Sequence, residues 1–174
     1  HELKVKFEKL SKRKQELSLR PKETKDVPTW VEKHFKDKLI FHTNATKLIT
    51  DVPTREINMD LLCSAIEFLS SEYRDELLNE ISKEEKDSQC SEKYERPFEV
   101  TPTGDNSISN YPKEYKVKYA KGFKGKPIEV PLNLHLKVGN SADLKASLRI
   151  YFFYDKEKKI IVVGSLPKHL RTIT

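Results

Sequence analysis

The fold is decided by the segment Leu148-Arg149-Ile150-Tyr151-Phe152-Phe153-Tyr154-Asp155, which is followed by Lys156-Glu157-Lys158-Lys159 and by Ile160-Ile161-Val162-Val163-Gly164. The two outer runs are rich in the β-branched and aromatic residues that strands favour. The stretch between them, from Asp155 to Lys159, is short and charged, as a hairpin connection should be. The segment therefore predicts two antiparallel strands near the end of the chain.

Three stretches nearer the middle of the chain also have strand character, at residues 98–101, 114–119 and 128–136. Apolar and polar residues alternate in them, and segments rich in Gly, Asn, Asp and Pro separate them. In the last of the three, Pro131 indicates an edge strand or a bulge, because proline cannot donate a ladder hydrogen bond. We expect a meander of antiparallel strands from residue 98 onwards.

Ahead of these strands, the apolar residues recur with a helical period. Residues 3–17 place Leu and Phe at heptad-like spacing, which predicts an amphipathic helix that ends before Pro21. Asp26 followed by Val27-Pro28 is typical of a helix start. Residues 39–41 are either a short strand or the end of that second helix.

The clearest helical pattern covers residues 55–69, with Thr54 as its expected cap. Ser70 and Ser71 interrupt the pattern, and a further helix is expected over residues 72–86. The two helices share one apolar seam and are predicted to form a helical hairpin.

Helices followed by a run of strands predict an α+β fold, with the N-terminal helices packed on an antiparallel sheet. We expect the main α+β domain over residues 55–174. Residues 1–54 would form an N-terminal helical extension that is either a separate lobe or wraps the core. One face of the sheet should carry the helices, and the other should remain open to a partner or substrate.

Charge is distributed unevenly along the chain. The formal net charge is +6, but residues 111–174 hold 14 Lys or Arg against 5 Asp or Glu, a balance of +9, which leaves −3 for residues 1–110. A basic C-terminal part attracts polyanions such as nucleic acids, although scattered lysines also serve solubility.

Several classes of protein are not indicated. The sequence contains neither a membrane-spanning apolar run nor a secretory pattern, so we expect a cytoplasmic protein that does not bind membranes. The two cysteines are Cys63 and Cys90, and Cys63 is expected to be a buried free thiol in a reducing compartment. Neither cysteines nor histidines show the spacing of metal ligands, and no phosphate-binding glycine loop occurs, so we expect no cofactor.

The last two strands carry a resemblance to a known family. The pattern of Arg149-Ile150-Tyr151-Phe152, a charged turn, a final apolar strand and then Ser165-Leu166-Pro167-Lys168-His169 resembles the RelE superfamily of bacterial toxins, which cleave messenger RNA. In that family an arginine lies in the penultimate strand and a His, Arg or Tyr follows the last one. The resemblance covers roughly residues 55–174 and is specific only in the last 27 residues.

The resemblance implies a metal-independent endoribonuclease that inhibits translation. The RNA 2′-hydroxyl attacks the adjacent phosphate, so the protein must assist proton transfers and stabilise a growing negative charge. Arg149 would hold the phosphate, His169 would protonate the leaving oxygen, and Lys118 would be the third catalytic residue. Arg149 could instead be an exposed strand arginine or pair with Glu129, and His169 could be an ordinary surface residue.

Further residues are expected to bind RNA. Tyr151 lies two residues from Arg149, on the same face of a strand, and would stack on a base, with core packing as the alternative. The other expected RNA-binding residues are Lys116, Lys121, Lys124 and Lys168, with a solvated lysine surface as the alternative.

The expected partners are messenger RNA, either free or on the ribosome, and a cognate antitoxin protein. The competing hypothesis is a non-catalytic interaction or RNA-binding module with a RelE-like fold. Catalytic groups that converge on one site around Arg149 would favour the enzyme, and dispersal of those groups would favour the module.

Overall fold

Helices precede most of the strands in the computed structural model, which describes residues 1–120 and 125–173. The helices are α1 (Glu2–Ser18), α2 (Val27–Phe35), α3 (Thr43–Thr50), α4 (Met59–Phe68), α5 (Arg74–Leu77), α6 (Lys83–Tyr94), α7 (Asp105–Asn110) and α8 (Pro112–Tyr115). The strands are β1 (Leu39–Phe41), β2 (Glu99–Pro102), β3 (Lys116–Ala120), β4 (Pro127–Pro131), β5 (Leu134–Val138), β6 (Leu148–Asp155) and β7 (Ile160–Ser165). The predicted α+β class is confirmed.

The predicted C-terminal hairpin is present, formed by β6 and β7. The two strands are antiparallel, with Asp155 opposite Ile160. The Asp155 side chain fixes the turn, because its Oδ1 accepts hydrogen bonds from the main-chain nitrogens of Glu157 and Lys158 at 3.1 Å each. Lys159 completes the turn with a left-handed φ of 57°.

The main sheet has the strand order β1-β7-β6-β5-β2, and β3 and β4 form a separate two-stranded sheet. The predicted antiparallel pairing is confirmed for β2, β5, β6 and β7, but the sheet is mixed, because β1 pairs in parallel with β7. Residues 39–41 are therefore the short strand, and not the end of a helix. They form an edge of the sheet beside its most buried strand.

The proposed boundary between residues 1–54 and 55–174 is not a packing boundary. The segment before it supplies β1, and it also supplies Val27, Leu39 and Ile49, each of which is fully buried in the core shared with the sheet. Most of residues 1–54 therefore belong to the main domain. Helix α1 adds nothing to this core, since no residue along its length is buried.

The helical hairpin differs from the prediction in its boundaries. The first helix begins at Met59 and not at residue 55, because Asn58, and not Thr54, caps it by accepting a hydrogen bond from the nitrogen of Leu61. Ser70 and Ser71 do not interrupt the helix. They lie in a π-helical turn, Leu69–Tyr73, that joins α4 to α5.

The second predicted helix, over residues 72–86, is not a single element. Its first part continues the preceding helix through the π-helical turn and α5, and only its last residues belong to α6, which begins after Ser82. Ser82 Oγ accepts a hydrogen bond from the nitrogen of Glu85 at 3.1 Å, while the Glu85 carboxylate lies 3.4 Å from the same hydroxyl. The sequence Ser82-Lys83-Glu84-Glu85 is thus a capping box that marks the true start.

Both faces of the main sheet are covered along β6 and β7, so the expectation that the second face is left free is wrong there, while Glu99 and Lys137 are exposed at the β2–β5 end of the sheet. On one face, Ile150 and Phe152 pack against α2, α3 and α4. On the other face, Tyr151, Phe153 and Val162 pack under the β3–β4 hairpin and α7. Alternate residues of β6 enter different cores, as the pleat of a strand requires.

Within residues 1–120 and 125–173, no helix combines the length and the apolar content that a membrane span needs.

Candidate functional site

A basic cleft of about 910 Å³ lies at the end of the sheet where β6 begins and β7 ends. One wall is the loop between β5 and β6, another is the segment Pro167-Lys168-His169 after β7, and Arg55 and Glu56 close the side. The cleft has two acidic residues, Glu56 and Asp143. They are outnumbered by its cationic residues and its one histidine, which are Arg55, Lys145, Arg149, Lys168 and His169.

The β5–β6 loop is held in shape by local hydrogen bonds. Gly139 starts it with a φ of +67°, and a Cβ there would collide with the carbonyl oxygen of Ala146, so that only glycine fits. Asp143 organises the rest: its Oδ1 accepts from the nitrogen of Lys145 at 3.0 Å, and its carbonyl oxygen accepts from Ser147 Oγ at 2.9 Å. This carboxylate is a structural group of the loop.

The segment after β7 is fixed against the sheet at several points. The nitrogen of Arg149 donates to the carbonyl oxygen of Pro167 at 2.9 Å. The nitrogen of Leu170 donates to the hydroxyl of Tyr151 at 3.1 Å, and the hydroxyl of Tyr115 donates to the carbonyl oxygen of Arg171 at 2.7 Å. Between these anchors, Lys168 and His169 are exposed at the cleft wall.

Arg149 lines the cleft but is only 6% exposed. Its Nη1 donates to the carbonyl oxygens of Val138 and Leu148, at 2.9 and 3.0 Å. Burial lowers the pKa of the guanidinium below its ordinary value. Nε and Nη2 have no hydrogen-bond partner among the described residues, so this edge of the guanidinium can bind a ligand in the cleft.

The proposed pairing of Arg149 with Glu129 does not occur. Arg149 lies opposite Lys137 in the main sheet. Glu129 lies opposite Lys118 in the two-stranded sheet. Among the described residues, Arg149 forms no ion pair with a carboxylate.

Arg149, His169 and Lys168, which the sequence singled out, do line one cleft. The lysines of β3 do not join them. Lys116 and Lys118 belong to the hairpin over the second core and are not among the described residues that line the cleft. The structure therefore does not bring Lys118 or Lys116 to this cleft beside Arg149, and their predicted catalytic and binding roles stay predictions. Lys121 and Lys124 lie outside the described residues.

Tyr151 cannot stack on a base, contrary to the prediction, because its side chain is buried. Its side chain is 2% exposed, its ring makes an edge contact with Tyr115 at 5.6 Å, and it stacks on His135 with 5.2 Å between centroids. Core packing is its role. The sequence of β6 favours this outcome, because apolar residues at consecutive positions are typical of a strand that is buried on both faces.

His135 is a neighbour of the cleft that sequence reasoning did not single out. Burial lowers the pKa of its imidazole, and the charges of Arg149 and His169 lower it further. Its Nδ1 is buried without a hydrogen-bond partner among the described residues. His135 is therefore held neutral beneath a cationic site.

Arg55, Glu56 and Lys145 are the cleft residues that the sequence gave no reason to choose. Arg55 and Glu56 are about 90 residues from the β5–β6 loop in sequence, and only the packing of the chain brings them to the cleft. Lys145 lies in a loop whose sequence, Gly139-Asn140-Ser141-Ala142-Asp143, signals a turn but no ligand.

Comparison of the chain with protein-family models, with curated proteins and with solved structures gives no match. Among the described residues, no cluster of His, Cys, Asp or Glu is arranged to hold a metal ion.

Proposed function

We propose that this protein binds RNA through the basic cleft, with the phosphate groups of a single strand held by Arg55, Lys145, Arg149 and Lys168. The observation that carries the proposal is the meeting of these cations in one open concavity. Phosphate contacts supply most of the affinity of such surfaces.

The shape of the cleft favours binding of a flexible single-stranded RNA and not of a rigid RNA duplex. Its volume of about 910 Å³ lies within the range of clefts that hold sizeable ligands. The three exposed cations, Arg55, Lys145 and Lys168, stand on different walls, while the buried Arg149 offers a planar donor edge. A guanidinium edge of this kind suits phosphate oxygens, because it can make two parallel hydrogen bonds.

Metal-independent cleavage of messenger RNA is the second candidate function, and it is favoured by the presence of Arg149 and His169 in the same cleft. Arg149 would stabilise charge on the phosphorane as the 2′-oxygen bonds to phosphorus. His169 would give a proton to the 5′-oxygen as the P–O5′ bond breaks, which leaves a 2′,3′-cyclic phosphate. Such a RelE-like toxin would inhibit translation in the cytoplasm and be neutralised by an antitoxin.

The resemblance on which the second candidate rests is weakened by the place of Lys118, because no lysine of β3 reaches the cleft to act as the base. Glu56, which is exposed in the cleft wall, is the carboxylate that could accept the proton of the 2′-hydroxyl. A non-catalytic RNA-binding module needs neither group, so the first proposal does not depend on the second.

Binding is tested by fluorescence anisotropy with a labelled single-stranded RNA of about twelve nucleotides at several salt concentrations. For a single strand, each phosphate contact contributes roughly −0.7 to the slope of log K against log salt. The double variant Arg55→Ala/Lys168→Ala should therefore lose roughly 1.4 from that slope and weaken binding at least tenfold. Lys156→Ala, at an exposed lysine of the distant hairpin turn, is the matched control.

Equal affinity of the double variant and the control would refute binding in the cleft. Cleavage is assayed separately, with chelator present, on the same RNA and on its 2′-O-methyl counterpart. The nuclease hypothesis predicts cyclic phosphate ends from the first, no cleavage of the second, and a loss of 10²-fold or more in His169→Ala. Binding without cleavage would leave the module as the function.

A further inference from the structure

Helix α1 presents its apolar side chains to solvent. Leu3 is 83% exposed, Phe7 and Leu10 are each 70% exposed, and Leu17 is 43% exposed. An amphipathic helix ordinarily turns such a stripe towards the core, where its burial stabilises the fold. Here the stripe lies on the outside of the molecule, independently of the basic cleft and of any function proposed for it.

The contacts of α1 with the rest of the protein are made by charged residues on another side of the helix. Lys9 lies 3.6 Å from Glu92. Arg13 forms an ion pair with the buried Glu67 and places its guanidinium 5.5 Å from the centre of the Tyr94 ring. Because these contacts hold α1 by its polar side, the apolar stripe faces outward.

We propose that the α1 stripe, formed by Leu3, Phe7, Leu10 and Leu17, is a docking surface for an acidic amphipathic helix of a partner protein. These residues follow one another at intervals of four, three and seven, which is the spacing of a coiled-coil seam. The missing seam position is Lys14. A partner helix that packs along the seam would contact α1 over about four turns, from Leu3 to Leu17.

The charges beside the seam select the partner. Lys4 and Lys6 flank its first half, and Lys14 stands within it. Arg13 and Glu16 lie to the side that faces the protein, where Arg13 bonds to both Glu16 and Glu67. The free charges along the seam are thus all positive, and acidic residues at the flanking positions of a partner helix would pair with them.

A second copy of this chain fits the seam poorly. Two α1 helices, whether parallel or antiparallel, would bring Lys4, Lys6 and Lys14 against one another, and like charges at such positions oppose pairing. The stripe is also narrow, spanning roughly 80° of the helix at 3.6 residues per turn. That width suits one helical neighbour, whereas a helix that lies in a bilayer surface needs a broader apolar face.

The test measures binding of the whole chain to a labelled synthetic 21-residue helical peptide by fluorescence anisotropy. The peptide has Leu at the seam positions and Glu at the flanking positions. The variant Phe7→Gln/Leu10→Gln should weaken binding at least tenfold, while Val5→Gln should change it less than twofold. Val5 is the matched control because it is also exposed on α1, at 51%, but lies off the seam. Since α1 buries no residue, both variants should keep the thermal stability of the wild type.

A second peptide, with Lys in place of every Glu, should bind at least tenfold more weakly. Equal binding of the two peptides, or of the seam variant and the wild type, would overturn the proposal. Two further measurements identify other occupants. A dimer mass in light scattering that Phe7→Gln/Leu10→Gln reduces to a monomer would identify a second copy of the chain. Co-sedimentation with phosphatidylserine vesicles, in the absence of peptide binding, would identify a membrane surface. Either result would also overturn it.

Discussion

Substitution of Arg149 by alanine should destabilise the fold, and the size of the loss follows from its contacts. The guanidinium is 6% exposed and donates two hydrogen bonds to main-chain carbonyls, one in β5 and one in β6. Hydrogen bonds from charged groups contribute about 1.5–3 kcal/mol each. The cost of keeping a buried cation offsets part of that sum. We expect Arg149→Ala to lower the free energy of unfolding by about 2–3 kcal/mol.

Thermal unfolding followed by circular dichroism measures this loss. For a chain of this length each kcal/mol corresponds to roughly 2–4 °C, so the melting temperature of Arg149→Ala should fall by roughly 4–12 °C. Lys168→Ala is the control, because Lys168 lines the same cleft but is exposed. Its stability should stay within about 0.5 kcal/mol of the wild type.

An Arg149→Ala variant as stable as the control would refute the reasoning, and would mean that the guanidinium serves a ligand and not the fold. The prediction also bears on how any RNA assay is interpreted. A loss of binding or cleavage in Arg149→Ala can come from a distorted cleft, so Arg55, Lys168 and His169, which are exposed, are the better positions for functional tests.

Two further perturbations test the electrostatics of the interior. The side chain of Glu67 is 7% exposed and pairs with Arg13 and with Arg20, whose side chain is 10% exposed. Glu67→Ala should therefore lower the free energy of unfolding, measured in urea, by about 3 kcal/mol. Glu92→Ala, which removes an exposed ion pair, should lower it by less than about 1 kcal/mol, and equal losses would contradict this reasoning. His135 has a lowered pKa in the folded state, so the unfolded chain takes up a proton first as pH falls below about 6.5. Stability should therefore decline over that range, and His135→Phe should reduce the decline while His34→Gln, at an exposed position, should not.

The sequence was sufficient to predict the elements whose signals are local. The β6–β7 hairpin is one, since a charged turn joins two strongly β-forming runs. The place of His169 beside the start of β6 is another, because an antiparallel hairpin brings the end of its second strand back to the beginning of its first. Arg149 and His169 therefore could be assigned to one site from the chain alone.

What could not be predicted depended on long-range packing. Alternation in residues 114–119 indicated a strand but not which sheet it joins, and this assignment decides whether Lys116 and Lys118 approach Arg149. The run from Ile150 to Phe153 did hold a usable signal: four consecutive large apolar residues need cover on both faces. Given that cover, the β3–β4 hairpin has to lie over the second face, and Tyr151 has to be buried.

The burial of β6 on both faces also limits where this protein can act. Side chains from the middle of that strand cannot meet a ligand, because helices cover one face and the β3–β4 hairpin covers the other. At the beginning of β6, beside the cleft, Arg149 joins the two neighbouring walls. Its side chain donates to the end of β5, and its main-chain nitrogen donates to the segment after β7. Arg149 thus holds together the two walls that carry Lys145 on one side and Lys168 and His169 on the other. The penultimate-strand arginine on which the family resemblance rests is explained by this structural task alone, so the resemblance gains weight only if the exposed residues of the cleft bind or cleave RNA.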